Sequence, residues 1–280
     1  MIMFGGQGSH YAGMGRDLFD EFPEHLALAD EVLGYSVRDL CLDDEDGRMT
    51  STRYAQPALY VVNVLTYLRV RRSCRIEPTA LLGHSLGEYC AAHVAGVFDF
   101  ATGLALVARR GELMADAGDG AMAAVIGLDL DAVHDALVSW SGDGLWVAGY
   151  NTPNQTVLSG VTDQVRMAKD HFLDAGARTY VSLNVSGAFH SPLMAAARSE
   201  FQRVLAGTEL RAPRIPVVSN NTGAIHTSDL IAHNLGEQIS APVRWTESVQ
   251  LLAGRGETSW IEIGPKRMLT PMVEEILASP

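Results

Sequence analysis

The stretch Thr79-Ala80-Leu81-Leu82-Gly83-His84-Ser85-Leu86-Gly87-Glu88 decides the fold of this chain. A short apolar run, 79–82, leads into two glycines that flank a serine, and a helical pattern follows over 88–95. Runs of this kind are typical of buried parallel strands. The pattern predicts a strand, a sharp turn and a helix, the setting in which Gly-x-Ser-x-Gly forms a nucleophile elbow. The alternative is a Gly-Ser turn without chemistry.

Similar short apolar runs, bounded by Gly, Pro or Asn, occur at 2–4, 215–219 and 260–263. They alternate with long helical stretches such as 245–254, and this alternation is typical of an α/β core around a parallel sheet. We therefore expect an α/β-hydrolase-like catalytic core formed by residues 1–120 and 187–280.

The pattern changes between 120 and 186. Strand-like runs at 121–128, 145–150, 156–159 and 179–185 are interrupted by two amphipathic helical patterns at 129–140 and 162–175. The turn-rich sequence Asn151-Thr152-Pro153-Asn154 joins the second and third strands. The order β-α-β-β-α-β is the ferredoxin-like pattern. We expect residues 121–186 to form a small ferredoxin-like subdomain, inserted into the core, that covers a cleft.

Composition excludes several classes of protein. The chain has 280 residues, of which 47% are hydrophobic and 19% charged, so it can bury a full core. A net charge of -12 disfavours nucleic acid and anionic membranes as partners. No apolar run is long enough for a membrane span, and the N-terminus lacks the pattern of a signal peptide. Three cysteines without a Cys-x-x-Cys pair indicate no disulfide framework and no metal site, and favour a cytoplasmic location.

Ser85 needs a base to remove its proton, because a serine hydroxyl is a poor nucleophile by itself. His190 is the best of the nine histidines, since it lies in a loop, 186–192, that follows the last subdomain strand at the expected seam. The side chain of His84 should diverge from that of its neighbour Ser85. No Asp or Glu stands out as the third member of a triad, and a backbone carbonyl can hold the imidazole instead. A surface or core histidine is the alternative for His190.

The loop Gly5-Gly6-Gln7-Gly8-Ser9 follows the first strand. It has neither the spacing of a dinucleotide fingerprint nor the lysine of a Walker loop. The sequence therefore leaves two interpretations open. Either the loop and Gln7 line an oxyanion hole together with the backbone amide of Leu86, or the loop is a tight turn that needs glycine.

Eight short motifs occur in one order along nearly the whole chain: Gly5-Gly6-Gln7-Gly8-Ser9, Gln56-Pro57-Ala58-Leu59, Gly83-His84-Ser85-Leu86-Gly87-Glu88-Tyr89, Arg110-Gly111, Gly120-Ala121-Met122-Ala123-Ala124, Asn151-Thr152-Pro153, Phe189-His190-Ser191 and Ile263-Gly264-Pro265. Together they resemble the malonyl-CoA:acyl carrier protein transacylases, including the acyltransferases of polyketide synthases. Two residues depart from the usual pattern, Gly5 in place of Pro and His10 in place of Gln.

The resemblance implies a role for each matching residue. Ser85 is expected to be the acylated nucleophile, His190 its base, and Gln7 with the amide of Leu86 the oxyanion hole. Arg110 is expected to bind the free carboxylate of the acyl group through a bidentate pair. The remaining expectations concern positions around these groups: Gln238 to orient the histidine through a carbonyl, and Asn151 and Phe189 to line the substrate pocket.

The resemblance also implies the reaction. A malonyl group passes from malonyl-CoA to Ser85 and then to the phosphopantetheine thiol of an acyl carrier protein, with no bound cofactor or metal. Leu86 and Phe189 resemble the residues at these positions in family members that are specific for malonyl and not for methylmalonyl. The physical reason is that the Phe189 ring should crowd an α-methyl group. Residues 56–67 resemble those of discrete, trans-acting polyketide acyltransferases, such as that of the disorazole pathway, and the chain begins directly at the first strand. Both features favour a free-standing enzyme.

Three alternatives stay open. A hydrolase of acyl-carrier thioesters would use the same serine and histidine, and a transacylase for another extender unit would differ only in its pocket. A docking module without catalysis would not need Ser85, His190 and Arg110.

A basic group formed by Arg69, Arg71, Arg72 and Arg75 is either a solvated face or a surface that meets an acidic carrier protein.

Overall fold

The elements follow the alternation of strands and helices that the sequence predicts. The computed structural model describes residues 1–74, 76–185 and 187–279. The strands in this part of the chain are β1 (Ile2–Phe4), β2 (Leu81–Gly83), β3 (Ala121–Ile126), β4 (Leu145–Thr152), β5 (Gln155–Gly160), β6 (Thr179–Ser182) and β7 (Ile261–Ile263).

The helices surround the strands and contain more residues than the strands do. They are α1 (Arg16–Phe19), α2 (Pro23–Leu33), α3 (Val37–Leu42), α4 (Thr52–Ser73), α5 (Leu86–Val94), α6 (Phe100–Ala115), α7 (Leu130–Ser139), α8 (Thr162–Asp174), α9 (Ala195–Ala206), α10 (Ile231–Glu237), α11 (Trp245–Gly254) and α12 (Leu269–Ala278). Two 3₁₀ turns, Arg48–Thr50 and Pro192–Met194, are added to these.

A parallel sheet with the strand order β2-β1-β7 forms the centre of the core. Met3 of β1 pairs with Leu82 of β2 on one side and with Glu262 of β7 on the other. Every residue of β1 and β2 is buried, as expected for parallel strands covered on both faces. The sheet therefore brings the carboxyl ends of β1 and β2, and the loops that follow them, to the same edge.

The strand expected at 215–219 is not formed. Val217 makes only an isolated parallel bridge with Leu81. The amide of Val218 donates to Leu81 O, and on the same side Pro216 has no N–H. The next amide on that side, that of Asn220, donates to Glu88 Oε2, and Gly83 O of β2 accepts from the Asn220 side chain instead, so the ladder ends after a single bridge.

The second sheet is antiparallel, with the order β4-β5-β3-β6, and carries α7 and α8 on one face. This confirms the predicted class, an α/β protein with a parallel sheet and a separate antiparallel one. Thr152 pairs with Gln155, so the strands continue to a two-residue turn at 153–154 and are longer than expected. Strand β6 ends at Ser182, earlier than the expected 185, and Ser186 lies outside the described residues. The domain boundaries at 120/121 and 186/187 stay predictions.

Within residues 1–74, 76–185 and 187–279, no helix has the length and apolar character needed to cross a membrane. In the same residues, no three His, Cys, Asp or Glu side chains are grouped so that they could hold a metal ion. The cysteines there, Cys41, Cys74 and Cys90, are free thiols.

Candidate active site

Ser85 lies at the sharp turn between β2 and α5. Its backbone angles, φ 51° and ψ -110°, belong to a region that residues other than glycine rarely adopt. The turn packs tightly on the end of β1: a Cβ on Gly87 would lie 2.0 Å from Phe4 O. Glycine is therefore required at 87 to bring the turn against the sheet. The geometry is that of a nucleophile elbow, with the serine at the carboxyl edge of the parallel sheet.

His190 faces Ser85 across the cleft, with its Nε2 2.8 Å from Ser85 Oγ. The other ring nitrogen, Nδ1, lies 2.8 Å from the backbone carbonyl of Gln238 and 3.2 Å from that of Ala241. Because carbonyl oxygens only accept, Nδ1 carries the proton and Nε2 presents its lone pair to the serine hydroxyl. The backbone of Gln238 thus occupies the place that a carboxylate holds in a triad.

The electrostatic surroundings keep this imidazole neutral. Burial, and next the nearby guanidinium of Arg110, lower the pKa of His190 to about 3, although the carbonyls of Gln238 and Ala241 act in the opposite direction. The histidine is therefore uncharged near pH 7, the state in which it can accept the proton of Ser85.

The Arg110 side chain extends from α6 to Ser85. The side chain is almost completely buried, and its Nη2 donates to Ser85 Oγ at 3.0 Å and to Gln238 Oε1 at 2.8 Å. Its Nη1 donates to Gln56 Oε1 at 2.5 Å. This burial excludes the alternative of an exposed helix end; the neighbouring Arg109 is the partly exposed arginine, paired with Glu112.

The loop after β1 lies directly against the elbow. A Cβ on Gly6 would lie 2.3 Å from His84 O and 3.8 Å from the backbone nitrogen of Leu86. Leu86 is the first residue of α5, where amides have no partner within the helix. Gln7 Oε1 accepts a hydrogen bond from Thr52 Oγ1 at 3.2 Å. The loop thus needs glycine at 6 and also lies next to the amide expected in the oxyanion hole; both interpretations of the loop fit one geometry.

A cavity of about 430 Å³ lies between the core and the antiparallel sheet, in front of Ser85 and His190. Gln7, Asn151 and Phe189 line it, as expected, whereas Arg110, expected to bind the acyl carboxylate, is not among its lining residues. Its other wall is apolar and comes from the subdomain, with Met122, Ala124, Ala148 and Val157. Leu86 and Phe189 were both expected to favour malonyl over larger acyl groups. The Leu86 side chain is fully buried in the core and does not line the cavity, so only Phe189 can limit the size of the acyl group.

His84 diverges from Ser85, as the sequence predicts, and links the two units. Its Nε2 lies 2.9 Å from Asn151 Oδ1 on β4, and its ring packs against Trp245 of α11. Burial lowers the pKa of His84, with the contact to Asn151 opposing the change. The His84–Asn151 hydrogen bond holds the subdomain wall against the catalytic turn.

The family model described as "Acyl transferase domain" matches residues 1–279, nearly the entire chain. The chain belongs to this family. The membership confirms the resemblance drawn from the eight motifs and shows that the protein is an acyltransferase. The alternative of a docking module without catalytic activity is thereby excluded.

Among relatives of this acyltransferase, the "Polyketide biosynthesis protein ThaF" of Burkholderia thailandensis is 44% identical over 99% of this chain, which spans only 24% of ThaF. The "Polyketide biosynthesis malonyl CoA-acyl carrier protein transacylase BaeC" of Bacillus velezensis is 44% identical over 98% of this chain and 95% of its own length. A crystal structure of a malonyl CoA-acyl carrier protein transacylase from Burkholderia pseudomallei superimposes with a TM-score of 0.95 at 43% identity, covering 100% of this chain and 98% of that one.

Sequence reasoning missed several residues of the acyltransferase site. Four buried residues connect to Ser85 by hydrogen bonds: Gln56, Glu88, Asn220 and His226. Asn220 contacts Ser85 directly, Gln56 connects through Arg110, and His226 connects through Glu88 and Gln238. Gln56 and Glu88 belong to motifs quoted above, yet only their contacts reveal that they face Arg110 and Gln238. Asn220 Oδ1 accepts from the Ser85 amide at 2.7 Å, over a separation of 135 residues. No local pattern signals such a contact.

The basic group expected as a docking surface is partly engaged within the protein. Arg69 pairs with Glu21 at 3.6 Å, and the Arg72 guanidinium lies over the Phe22 ring at 4.3 Å. Arg71 and Arg72 are both exposed, and Arg75 lies outside the described residues. The docking hypothesis stays a prediction.

Proposed function

We propose that this acyltransferase moves a malonyl group from malonyl-CoA to the phosphopantetheine thiol of an acyl carrier protein, and that it supplies a polyketide synthase in trans. The observation that carries the proposal is the convergence of two groups on Ser85 Oγ, a neutral His190 at 2.8 Å and the Arg110 guanidinium at 3.0 Å. The first suits a serine acyl-enzyme, and the second suits an acyl group with its own carboxylate. The similarity to BaeC over nearly its full length favours polyketide service.

In the first half-reaction, His190 Nε2 takes the proton of Ser85 while Oγ attacks the thioester carbonyl. Negative charge develops on the carbonyl oxygen, and we assign its stabilisation to the amide of Leu86 and the side chain of Gln7. When the tetrahedral intermediate collapses, the C–S bond breaks and the thiolate of coenzyme A receives the proton from His190. Malonyl-Ser85 remains.

In the second half-reaction, the phosphopantetheine thiol enters the same cavity and gives its proton to His190. The sulfur attacks the ester carbonyl, the bond to Ser85 Oγ breaks, and the proton returns to the serine. Both halves use only the two thioester partners and the residues named, so the scheme needs no bound cofactor or metal. The free thiols Cys41, Cys74 and Cys90 favour a reducing compartment, and we place the reaction in the cytoplasm.

Arg110 is placed to select the acyl group. Its guanidinium is buried, and burial lowers the pKa of Arg110, so a carboxylate partner stabilises its charge. The free carboxylate of a malonyl group would supply that partner next to Ser85, whereas an acetyl group would not. The apolar subdomain wall excludes water from the ester and so disfavours hydrolysis.

Intact-protein mass spectrometry tests the proposal. The chain is mixed with malonyl-CoA, and then with a phosphopantetheinylated acyl carrier protein, with Ser85→Ala as the control. We expect a malonyl adduct on the wild-type chain, its transfer to the carrier, and no adduct on Ser85→Ala. Loss of the adduct as free malonate without loaded carrier would assign a hydrolase, and no adduct from malonyl-CoA would show that the donor is another acyl thioester.

A further inference from the structure

A buried polar cluster lies behind Ser85, on the side away from the cavity, and the reaction described above does not use it directly. It contains Glu88, Asn220, His226 and Gln238, none more than 5% exposed. Glu88 comes from the first turn of α5, His226 from the tight turn after Val217, and Gln238 from the end of α10. The cluster thus joins three separate segments beneath the nucleophile.

Glu88 is the centre of this cluster. Its Oε1 lies 2.7 Å from His226 Nε2, while its Oε2 accepts from the backbone amide of Asn220 at 3.2 Å and from Gln238 Nε2 at 2.5 Å. A buried carboxyl group is costly unless its oxygens are paired, and here both are. The three contacts fix the orientation of the carboxyl group.

That orientation determines which end of the Gln238 side chain faces the nucleophile. Gln238 Nε2 donates to Glu88 Oε2 and to Ser85 O, the latter at 2.9 Å, whereas Oε1 accepts from Arg110 Nη2. A carboxylate offers only acceptors, so it selects the amide nitrogen of Gln238. Were the amide reversed, its NH₂ group would oppose the guanidinium of Arg110, donor against donor. Ser85 O is also an acceptor and selects the same end, so Glu88 and this carbonyl together support the hydrogen bond between Gln238 and Arg110.

His226 completes the chain of contacts. Its backbone amide donates to Val217 O, which anchors the residue beside the parallel sheet, and its Nε2 is the partner of Glu88 Oε1. The imidazole is buried and does not reach the cavity or the serine. Removing it would leave Oε1 without that donor and free the carboxyl group to turn.

We propose that His226 and Glu88 are positioning residues for selection of the acyl group: His226 orients Glu88, Glu88 fixes the amide of Gln238, and Gln238 keeps the Arg110 guanidinium beside Ser85. The inference rests on the proposed function, because positioning Arg110 speeds acylation of Ser85 only when the acyl group carries a carboxylate that Arg110 can bind. Burial lowers the pKa of Arg110, and Glu88 is among the groups that oppose this change.

The test compares His226→Phe with wild type, using malonyl-CoA and acetyl-CoA as separate acyl donors in single-turnover acylation of Ser85. The rates are normalised to the fraction of chain that acylates. We expect kcat/KM for malonyl-CoA to fall about tenfold, the size typical of losing a hydrogen bond to a charged group, with acetyl-CoA changed less than about twofold. His226→Gln, whose amide nitrogen can replace Nε2, should restore most of the preference for malonyl.

Controls separate positioning from a general structural effect. His93→Phe removes another largely buried histidine, whose Nδ1 lies 3.2 Å from Phe98 O, and should leave the malonyl-to-acetyl ratio unchanged. If His226→Phe does not fold, the isosteric Glu88→Gln replaces it, because a glutamine at 88 no longer selects one end of Gln238. Where His226→Phe does fold, its combination with Glu88→Gln should be non-additive, because both act through Gln238.

The outcomes are distinct. A malonyl-to-acetyl ratio that falls in His226→Phe or Glu88→Gln supports the inference, and equal losses with both donors, or an unchanged ratio, would overturn it. If the wild-type chain is not acylated by malonyl-CoA at all, the proposed function fails first. Thus failure of the positioning role and failure of the proposed function give different results.

Discussion

Replacing Arg110 with methionine removes the charge and the forked donor while keeping a long side chain. The structure supports a large effect on malonyl. The guanidinium is 1% exposed and touches Ser85 Oγ, so the carboxylate it would bind is withdrawn from water together with it. Removing one partner of a buried ion pair costs about 3–5 kcal/mol. At about 1.4 kcal/mol per factor of ten, kcat/KM for malonyl-CoA should fall by roughly 10²–10³-fold.

Acetyl-CoA provides the reference for this variant, since it has no carboxylate to lose. We expect its rate to change little, so the malonyl-to-acetyl ratio should fall by nearly the full amount. Acylation of Ser85 is followed by quenched-flow mass spectrometry with each donor. The matched control is Arg109→Met, because Arg109 is the adjacent, partly exposed arginine paired with Glu112.

Arg110→Met also leaves Gln56 Oε1 and Gln238 Oε1 without their donor. Each unpaired buried acceptor costs about 1–3 kcal/mol, offset by removal of a desolvated cation, so urea unfolding is measured alongside. A ratio that stays within about threefold of wild type in a folded variant would refute the reasoning. Arg110 would then act on the serine and not on the acyl group.

Three further predictions concern other parts of the site. Phe189→Ser should raise the methylmalonyl-to-malonyl ratio about tenfold, because it removes a 4% exposed ring from the cavity wall; competition between the two CoA esters measures it, and an unchanged ratio contradicts the size argument. Gly6→Ala should cost about 1–3 kcal/mol in urea unfolding and slow acylation, since its Cβ meets His84 O, whereas Gly254→Ala, with open space around it, should not. The pKa of His190 is about 3 in the folded chain and near 6.5 in an unfolded one, so the unfolded chain binds a proton first as the pH falls. The free energy of unfolding should therefore fall between about pH 6.5 and about pH 3. The decrease should be smaller in His190→Gln, which lacks this group. Equal pH slopes for the two chains would exclude the burial of His190 as the cause.

Much of the fold followed from local patterns. The runs at 2–4 and 260–263 became β1 and β7, and the order of the antiparallel subdomain was predicted element by element. These predictions held because burial on both faces produces continuous apolar runs, and helices of the subdomain produce a 3.6-residue period. The run at 215–219 was also apolar but formed no strand, because Pro216 has no amide and the amide of Asn220 donates to Glu88 and not to β2.

The candidate site divides in the same way. Ser85 was predictable because a nucleophile elbow imposes a steric demand on residues two positions away, and His190 because loops at a seam gather in the cleft. The surroundings of Arg110 were not predictable from spacing: its partners Gln56 and Gln238 lie 54 and 128 residues away in the chain. The family resemblance supplied the expected role of Arg110, but it did not show that the guanidinium lies behind the serine.

The sequence by itself determined the elbow, the class of fold and the membership of the acyl transferase family, since glycine sterics, hydrophobic period and motif order are properties of neighbouring residues. Only the tertiary structure decided that Glu88 and His226, 138 residues apart, share one buried hydrogen bond beneath Ser85. The reason is physical. A charged side chain in a helix is expected at the surface, and it can be buried only where distant segments bring enough donors to pair its oxygens.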